Sequence, residues 1–199
     1  MTAIVVFIIF IYSVVLHELA HGLAARSMGD HTAEDMGRLT LNPIKHMDMV
    51  GSVFLPLILY LSGSPFLFGY AKPVPYNPHN LNDHRWGPSK VAIAGPLTNL
   101  MLALLFGVSV RLLQQVADPT VLGFLAYGVL INLGLALFNL IPVPPLDGHW
   151  ILGTFFPAAM RSLYRYQWLL LVLVIFVIFP ALYPIVGLLF HVLTGQRLF

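Results

Sequence analysis

The chain has 199 residues, the length of one domain, but 58% of them are hydrophobic, only 9% are charged, and the mean hydropathy is +0.85. Soluble domains carry about 25% charged residues, so this composition excludes a soluble globular protein and predicts an all-α protein that crosses a membrane several times. The formal net charge of +2 is too small to indicate a nucleic-acid partner, and the absence of cysteine excludes disulfides and thiolate metal sites.

The first predicted membrane helix, 4–26, carries the ionisable motif His-Glu-Leu-Ala-His at 17–21 inside an otherwise apolar run. Ionisable side chains are costly at that depth, and they usually mark a functional site. Positions i and i+4 share one face of a helix, so His17 and His21 can contact the same metal ion. The spacing H-E-x-x-H is typical of zinc hydrolases, which makes Glu18 the predicted general base.

The next apolar segment, 49–69, is interrupted by glycine and proline, and both of its flanking connectors are basic. The flanking cations are Arg26, Arg38 and Lys45 on one side and Lys72, Arg85 and Lys90 on the other. By the positive-inside rule both connectors are cytoplasmic, which predicts a re-entrant hairpin rather than a single crossing. The alternative is one crossing here and a second crossing hidden within 62–76.

The stretch Lys72-Pro-Val-Pro-Tyr76 is predicted to be extended, because a residue before proline avoids the helical conformation. An extended segment of this kind can present an edge to which a peptide adds as a further strand. The alternative is a simple polar loop.

Three further apolar stretches are long enough to span a membrane: 89–113, 121–141 and 168–193. Together with the first helix and the hairpin, they predict about four to six transmembrane helices. In this topology 89–113 runs outward and 121–141 returns. The end of 121–141 therefore meets the end of 4–26 on the cytoplasmic side.

A third metal ligand is expected where 121–141 ends, since catalytic zinc usually takes three protein ligands. Asp147 is the best candidate, because three nearby prolines break the helix and seat it at the depth of the histidines. The remaining acids fall in polar connectors: Asp30, Glu34, Asp35, Asp48, Asp83 and Asp118.

Three motifs in this chain resemble those of the site-2 proteases, the intramembrane zinc metalloproteases of peptidase family M50. They are the histidine motif at 17–21, the stretch Ala94-Gly-Pro-Leu-Thr-Asn99, and the stretch from Asn139 to Gly148. The resemblance covers about residues 10–155. It implies one Zn²⁺ per chain bound by the two motif histidines and Asp147.

The resemblance also implies roles for the polar groups around that metal. Glu18 is expected to activate the attacking water and then to protonate the leaving amine. Asn139 is expected to bind substrate or to stabilise the tetrahedral intermediate, with a helix-capping or interhelical hydrogen bond as the alternative. Asn99 carries the same ambiguity, and a structural hydrogen bond is the favoured interpretation for it.

The activity implied by the resemblance is cleavage of transmembrane segments in membrane-anchored proteins. We therefore expect one integral-membrane domain over 1–199, with a catalytic core at about 4–155 and a C-terminal transmembrane segment at about 168–193. The expected location is a bacterial or archaeal cell membrane, with the active site toward the cytoplasm. The expected partners are the lipid bilayer and a transmembrane protein or peptide substrate, with no nucleic acid.

The histidine motif is also compatible with two other classes of membrane protein. A membrane zincin with glutamate as third ligand is disfavoured, because Glu34 is the last glutamate in the chain. A non-proteolytic membrane metal-binding protein or transporter remains the alternative. Transport would favour polar residues spread along a pathway, whereas here they cluster at one depth.

Overall fold

The computed structural model describes residues 2–54, 57–58, 61–62 and 71–198. In chain order the α-helices are α1 (Thr2–Ser27), α2 (Thr32–Asp35), α3 (Gly87–Leu113), α4 (Pro119–Asn139), α5 (Gly148–Phe155), α6 (Pro157–Tyr164), α7 (Gln167–Leu173), α8 (Phe179–Ala181) and α9 (Tyr183–Thr194). Short 3₁₀ turns lie at Pro43–His46 and Pro78–Asn80, and π-helical turns lie at Met49–Phe54 and Val174–Ile178. The described residues form no sheet, so the expected all-α architecture is confirmed.

Three helices are long and apolar enough to cross a membrane. With 26, 27 and 21 residues, α1, α3 and α4 are about 39, 40 and 31 Å long, against a hydrocarbon core of about 30 Å. Many of their large apolar side chains are exposed on the protein surface, as expected for helices that face lipid. The expected polytopic membrane protein is therefore confirmed.

The helix α3 packs against both α1 and α4 and holds the bundle together. The buried residues of α1 include Ser13, His17, His21 and Ala25, which are spaced by four and therefore form one row along the helix. This row faces the interior of the protein. The spacing explains how polar side chains on an apolar helix are kept away from lipid.

The second packing layer lies between α3, α4 and α9. Its buried centre consists of Ala103, Val129, Leu133 and Phe190. Small residues allow close approach of these helices, as at Gly128, where an added Cβ would lie 2.7 Å from the ring of Phe106.

The C-terminal segment differs from the expectation of one transmembrane helix over 168–193. The helical run Gln167–Ala181 ends before Leu182, and α9 is a separate helix of 12 residues. Pro180 and Pro184 lie on either side of this break and lack the amide hydrogens that a continuous helix needs. In the described part of the chain we therefore find three spanning helices. There are four if the pair α6 and 167–181, bent by 90°, is one span.

Most of the predicted hairpin 49–69 lies outside the described residues. The extended stretch predicted at 72–76 is described, and it has no regular secondary structure. One isolated antiparallel bridge between Met47 and Ala71 precedes it, and the N–H of Lys72 donates to the carbonyl of His46 at 2.9 Å. We call residues 72–77 the strap.

Candidate metal centre

Three side chains from two distant parts of the chain converge beside α1. His17 and His21 point their Nε2 atoms toward each other at 3.0 Å. Asp147 places its Oδ2 atom 3.2 Å from Nε2 of His17 and 3.3 Å from Nε2 of His21. The two histidines are buried and Asp147 is half-buried, so the group is shielded on most sides.

The spacing of these atoms fits a tetrahedral metal ion. Ligand atoms about 2.0–2.1 Å from zinc in a tetrahedral arrangement lie about 3.3 Å apart, close to the separations of 3.0 to 3.3 Å seen here. Oδ2 of Asp147 is buried without a hydrogen-bond partner among the described residues. A shared cation would satisfy this oxygen and both nitrogens at once.

Gly95 of α3 leaves room for such an ion. A Cβ atom added at Gly95 would lie 2.4 Å from Nε2 of His21 and 2.6 Å from Nε2 of His17. A methyl group would thus occupy the space at which the nitrogen lone pairs are directed. The absence of a side chain at this position therefore leaves the space between the two histidine nitrogens and α3 open.

A chain of buried amides orients His17. Its Nδ1–H donates to Oδ1 of Asn99 at 2.6 Å, and Nδ2 of Asn99 donates to Oδ1 of Asn132 at 2.9 Å. Nδ2 of Asn132 donates in turn to Oγ of Ser13 at 2.9 Å. Because Nδ1 carries the proton, Nε2 keeps its lone pair for the metal.

His21 is oriented by the backbone of α3. Its Nδ1–H donates to the carbonyl of Val91 at 2.8 Å, which again leaves Nε2 free for a metal. Both histidines therefore carry the proton on Nδ1, and their unprotonated Nε2 atoms are directed at the same space.

Asp147 lies in the tight connection between α4 and α5. The proline-rich stretch after α4 ends that helix, and α5 begins at Gly148. A Cβ at Gly148 would lie 2.3 Å from the carbonyl oxygen of Leu140, so only glycine permits this return of the chain. The connection is anchored by Ile141 and Leu146, which are buried in a cluster with Val174.

The two remaining predicted site residues, Glu18 and Asn139, are outside the group of three potential ligands. Glu18 is half-buried, and its Oε2 accepts a hydrogen bond of 2.7 Å from the backbone N–H of Val74 in the strap. Asn139 donates through Nδ2 to the carbonyl of Leu135 at 3.0 Å, within its own helix. This bond is neither interhelical nor a helix cap, so the role of Asn139 stays a prediction.

Three positions that contribute to the geometry of this candidate centre were not predicted from the sequence. Asn132 and Ser13 complete the amide chain, and Gly95 makes space for the ion. Two signals were available, because Asn132 is a polar residue within an apolar helix and Ser13 precedes His17 by one helical turn. Nothing in the spacing of Gly95 itself indicated that it faces the histidines.

The family model of peptidase family M50 matches residues 5–118 and 107–181. Three curated relatives carry the name "Putative zinc metalloprotease". YwhC of Bacillus subtilis is 38% identical over 163 residues, which cover 78% of this chain and 70% of the relative. Rip2 of Mycolicibacterium smegmatis is 34% identical over 176 residues, covering 87% and 66%. Rip2 of Mycobacterium tuberculosis is 31% identical over 145 residues, covering 70% and 52%. No solved structure matches the chain.

Proposed function

The chain belongs to peptidase family M50 and is a zinc metalloprotease, and from this we propose that it cleaves transmembrane segments of membrane-anchored proteins within the bilayer. The observation that carries the proposal is the depth of the metal centre. His17 lies ten residues before the end of the spanning helix α1, which is about 15 Å along the helix axis. A peptide that reaches this centre must itself enter the membrane region.

His17, His21 and Asp147 are the proposed zinc ligands. Zinc, when bound, polarises the scissile carbonyl and lowers the pKa of water to about 7. Asp147 would be engaged as a metal ligand, so a separate base is required to accept the proton of the attacking water.

Glu18 is the proposed general base. It follows a ligand directly in sequence, and one oxygen of its carboxylate accepts a hydrogen bond from the backbone of the strap. One oxygen is therefore held by a backbone amide, while the other can take a proton from the attacking water. The same carboxyl group can then deliver that proton to the leaving amine.

The strap is the proposed docking edge for the substrate. It is non-helical and lies beside Glu18, which supports the prediction that an extended peptide binds there by strand addition. A transmembrane helix must unwind before cleavage because its carbonyls are engaged within the helix. We retain Asn139 as a candidate substrate contact, although its amide bonds within its own helix.

The active site is proposed to open toward the cytoplasm. His17 and His21 lie in the second half of α1, which ends with Arg26 in its last turn. Basic residues of this kind favour the cytoplasmic face. A bacterial or archaeal cell membrane is the proposed location, and the bacterial relatives support it.

The test uses the purified protein in liposomes, a panel of single-span model peptides, and the variant Glu18→Gln. We expect Glu18→Gln to retain zinc and to lose cleavage by about 10²-fold or more. Glu34→Gln is the matched control, because Glu34 is the other glutamate and pairs with Arg26 at the surface. Equal cleavage by wild type and Glu18→Gln would reject the proposed mechanism.

The proposed activity can also be checked in cells. Mass spectrometry of membrane fragments should reveal cut transmembrane segments that are present with the wild type and absent with Glu18→Gln. Metal flux into liposomes without any such fragments would instead support the alternative of a transporter. Within the described residues only one group of potential metal ligands is found, which does not favour a transport pathway.

A further inference from the structure

The strap offers a single hydrogen-bond donor to the proposed general base. Between Lys72 and Tyr76 the residues are Pro73, Val74 and Pro75, and the two prolines have no backbone N–H. The amide of Val74 is therefore the one donor in this stretch, and it is bonded to Oε2 of Glu18 at 2.7 Å.

Close packing fixes the strap against α1 at this point. The side chain of Val74 is buried, and it fills the space beside Gly22, where an added Cβ would lie 2.9 Å from Cγ1 of Val74. Gly22 lies one helical turn after Glu18, so a single residue of the strap contacts α1 through both its side chain and its amide.

A buried cation holds the first half of the strap. Arg38 is only 5% exposed, and its Nη2 donates to the carbonyls of Lys72 at 2.9 Å and Pro73 at 3.3 Å. Burying a guanidinium is costly, and its Nε has no hydrogen-bond partner among the described residues. Both side-chain hydrogen bonds found for Arg38 among the described residues are directed at the strap.

A buried carboxylate holds the other end. Asp30 is fully buried, its Oδ2 accepts from the backbone N–H of Asn77 at 2.8 Å, and its Oδ1 accepts from Nδ2 of Asn80 at 2.9 Å. Burial acts to raise the pKa of Asp30, but these bonds and those from Thr32 outweigh it, and the pKa is lowered. The carboxylate therefore remains charged and continues to accept the hydrogen bonds from Asn77 and Asn80.

We propose that the strap positions Glu18 for proton transfer, with Val74 as the direct contact and Arg38 and Asp30 as the residues that hold the strap in place. This inference rests on the proposed role of Glu18 as general base. Because Glu18 is adjacent to a metal ligand, a freely rotating carboxylate would be drawn to the cation as an additional ligand. The amide of Val74 holds one oxygen away from the metal and leaves the other available to water.

The direct test removes the backbone N–H of Val74, which is the donor to Glu18. Val74→Pro deletes the donor but preserves an extended backbone, whereas the control Val116→Ala changes an exposed valine outside the strap and the metal centre. We expect Val74→Pro to lower kcat by about 10²-fold with zinc content unchanged, since misplacing a reacting group by about 1 Å has an effect of that size. Val116→Ala should retain a kcat within a few-fold of wild type. If Val74→Pro fails to fold, an amide-to-ester replacement at Val74 deletes the same donor and keeps the side chain.

A second pair of variants tests the hydrogen bonds from Arg38 to the strap. Arg38→Met keeps the length and apolar stem of the side chain but removes its donors, and we expect the same selective loss of kcat. Arg38→Lys restores a donor and a charge, so it should recover part of the loss. Equal kcat values for the methionine and lysine variants would show that Arg38 does not act through hydrogen bonds to the strap.

A spectroscopic readout separates positioning from general damage. In Co²⁺-substituted protein, Val74→Pro should change the visible absorption toward a higher coordination number as Glu18 joins the metal, and Val116→Ala should not. An unchanged spectrum together with an unchanged kcat in Val74→Pro would overturn the inference. In that case only the positioning role of the strap would be rejected. The proposed function would still be supported if the wild type cleaves and Glu18→Gln is inactive.

Discussion

Replacing Gly95 with alanine should abolish metal binding without unfolding the protein. The added Cβ would lie 2.4 Å from Nε2 of His21 and 2.6 Å from Nε2 of His17, whereas ordinary contact begins at 3.4 Å. The imidazoles would have to retreat by about 1 Å, while metal–ligand distances tolerate only about 0.2 Å. Loss of a second-sphere partner lowers metal affinity by about 10- to 100-fold. Displacing two ligands should therefore lower zinc affinity by more than about 10²-fold.

The assay is the zinc-to-protein ratio of the purified protein, measured by elemental analysis after exposure to a chelator. Gly123→Ala is the matched control, because Gly123 also lies in a spanning helix and an added Cβ there meets nothing within 4 Å. Both substitutions carry the same gain in intrinsic helix propensity of about 1 kcal/mol. Stoichiometric zinc in Gly95→Ala would refute the placement of the ion between the two histidines and α3.

Three further outcomes follow from the same geometry. Asp147→Ala should lower the zinc-to-protein ratio, and an unchanged ratio would remove Asp147 from the ligand set. Asn99→Leu leaves Nδ1 of His17 without its acceptor, so zinc affinity in a chelator competition should fall by about 10- to 100-fold while Gly123→Ala stays at the wild-type value. The lowered pKa of Asp30 contributes stability that is present above its ordinary pKa of 3.8 and is lost as the pH falls through the lower folded value. Acid unfolding of Asp30→Asn, followed by circular dichroism, should therefore show a weaker dependence on pH in that range than the wild type.

The sequence was sufficient for the local part of the site. The four-residue spacing of His17 and His21 is a property of the helix itself, so it survives folding without change. Asp147 could be predicted because few acids exist in the chain and prolines end the preceding helix at the right depth. These predictions depend on backbone periodicity and on membrane depth, and both can be derived from the order of apolar and polar residues along the chain.

The contacts that complete the site depend on which helix faces which, and composition does not contain that information. The hydrogen bond of His17 to Asn99 joins residues 82 positions apart, and that of Val74 to Glu18 joins residues 56 positions apart. The division of 168–193 into two helices was missed for another reason. Hydropathy sums side-chain polarity, whereas the break near Leu182 arises from missing backbone donors at Pro180 and Pro184.

The two halves of the metal centre are separated in time as well as in sequence. His17 and Asp147 are 130 positions apart, and ribosomes add about 5–20 residues per second. The last ligand therefore leaves the ribosome roughly 6–26 s after the first. During that interval a nascent chain with α1 already in the membrane lacks the residue that completes the centre. With the proposed ligand set, the metal centre is therefore complete only after α1, α3 and α4 have all been synthesised.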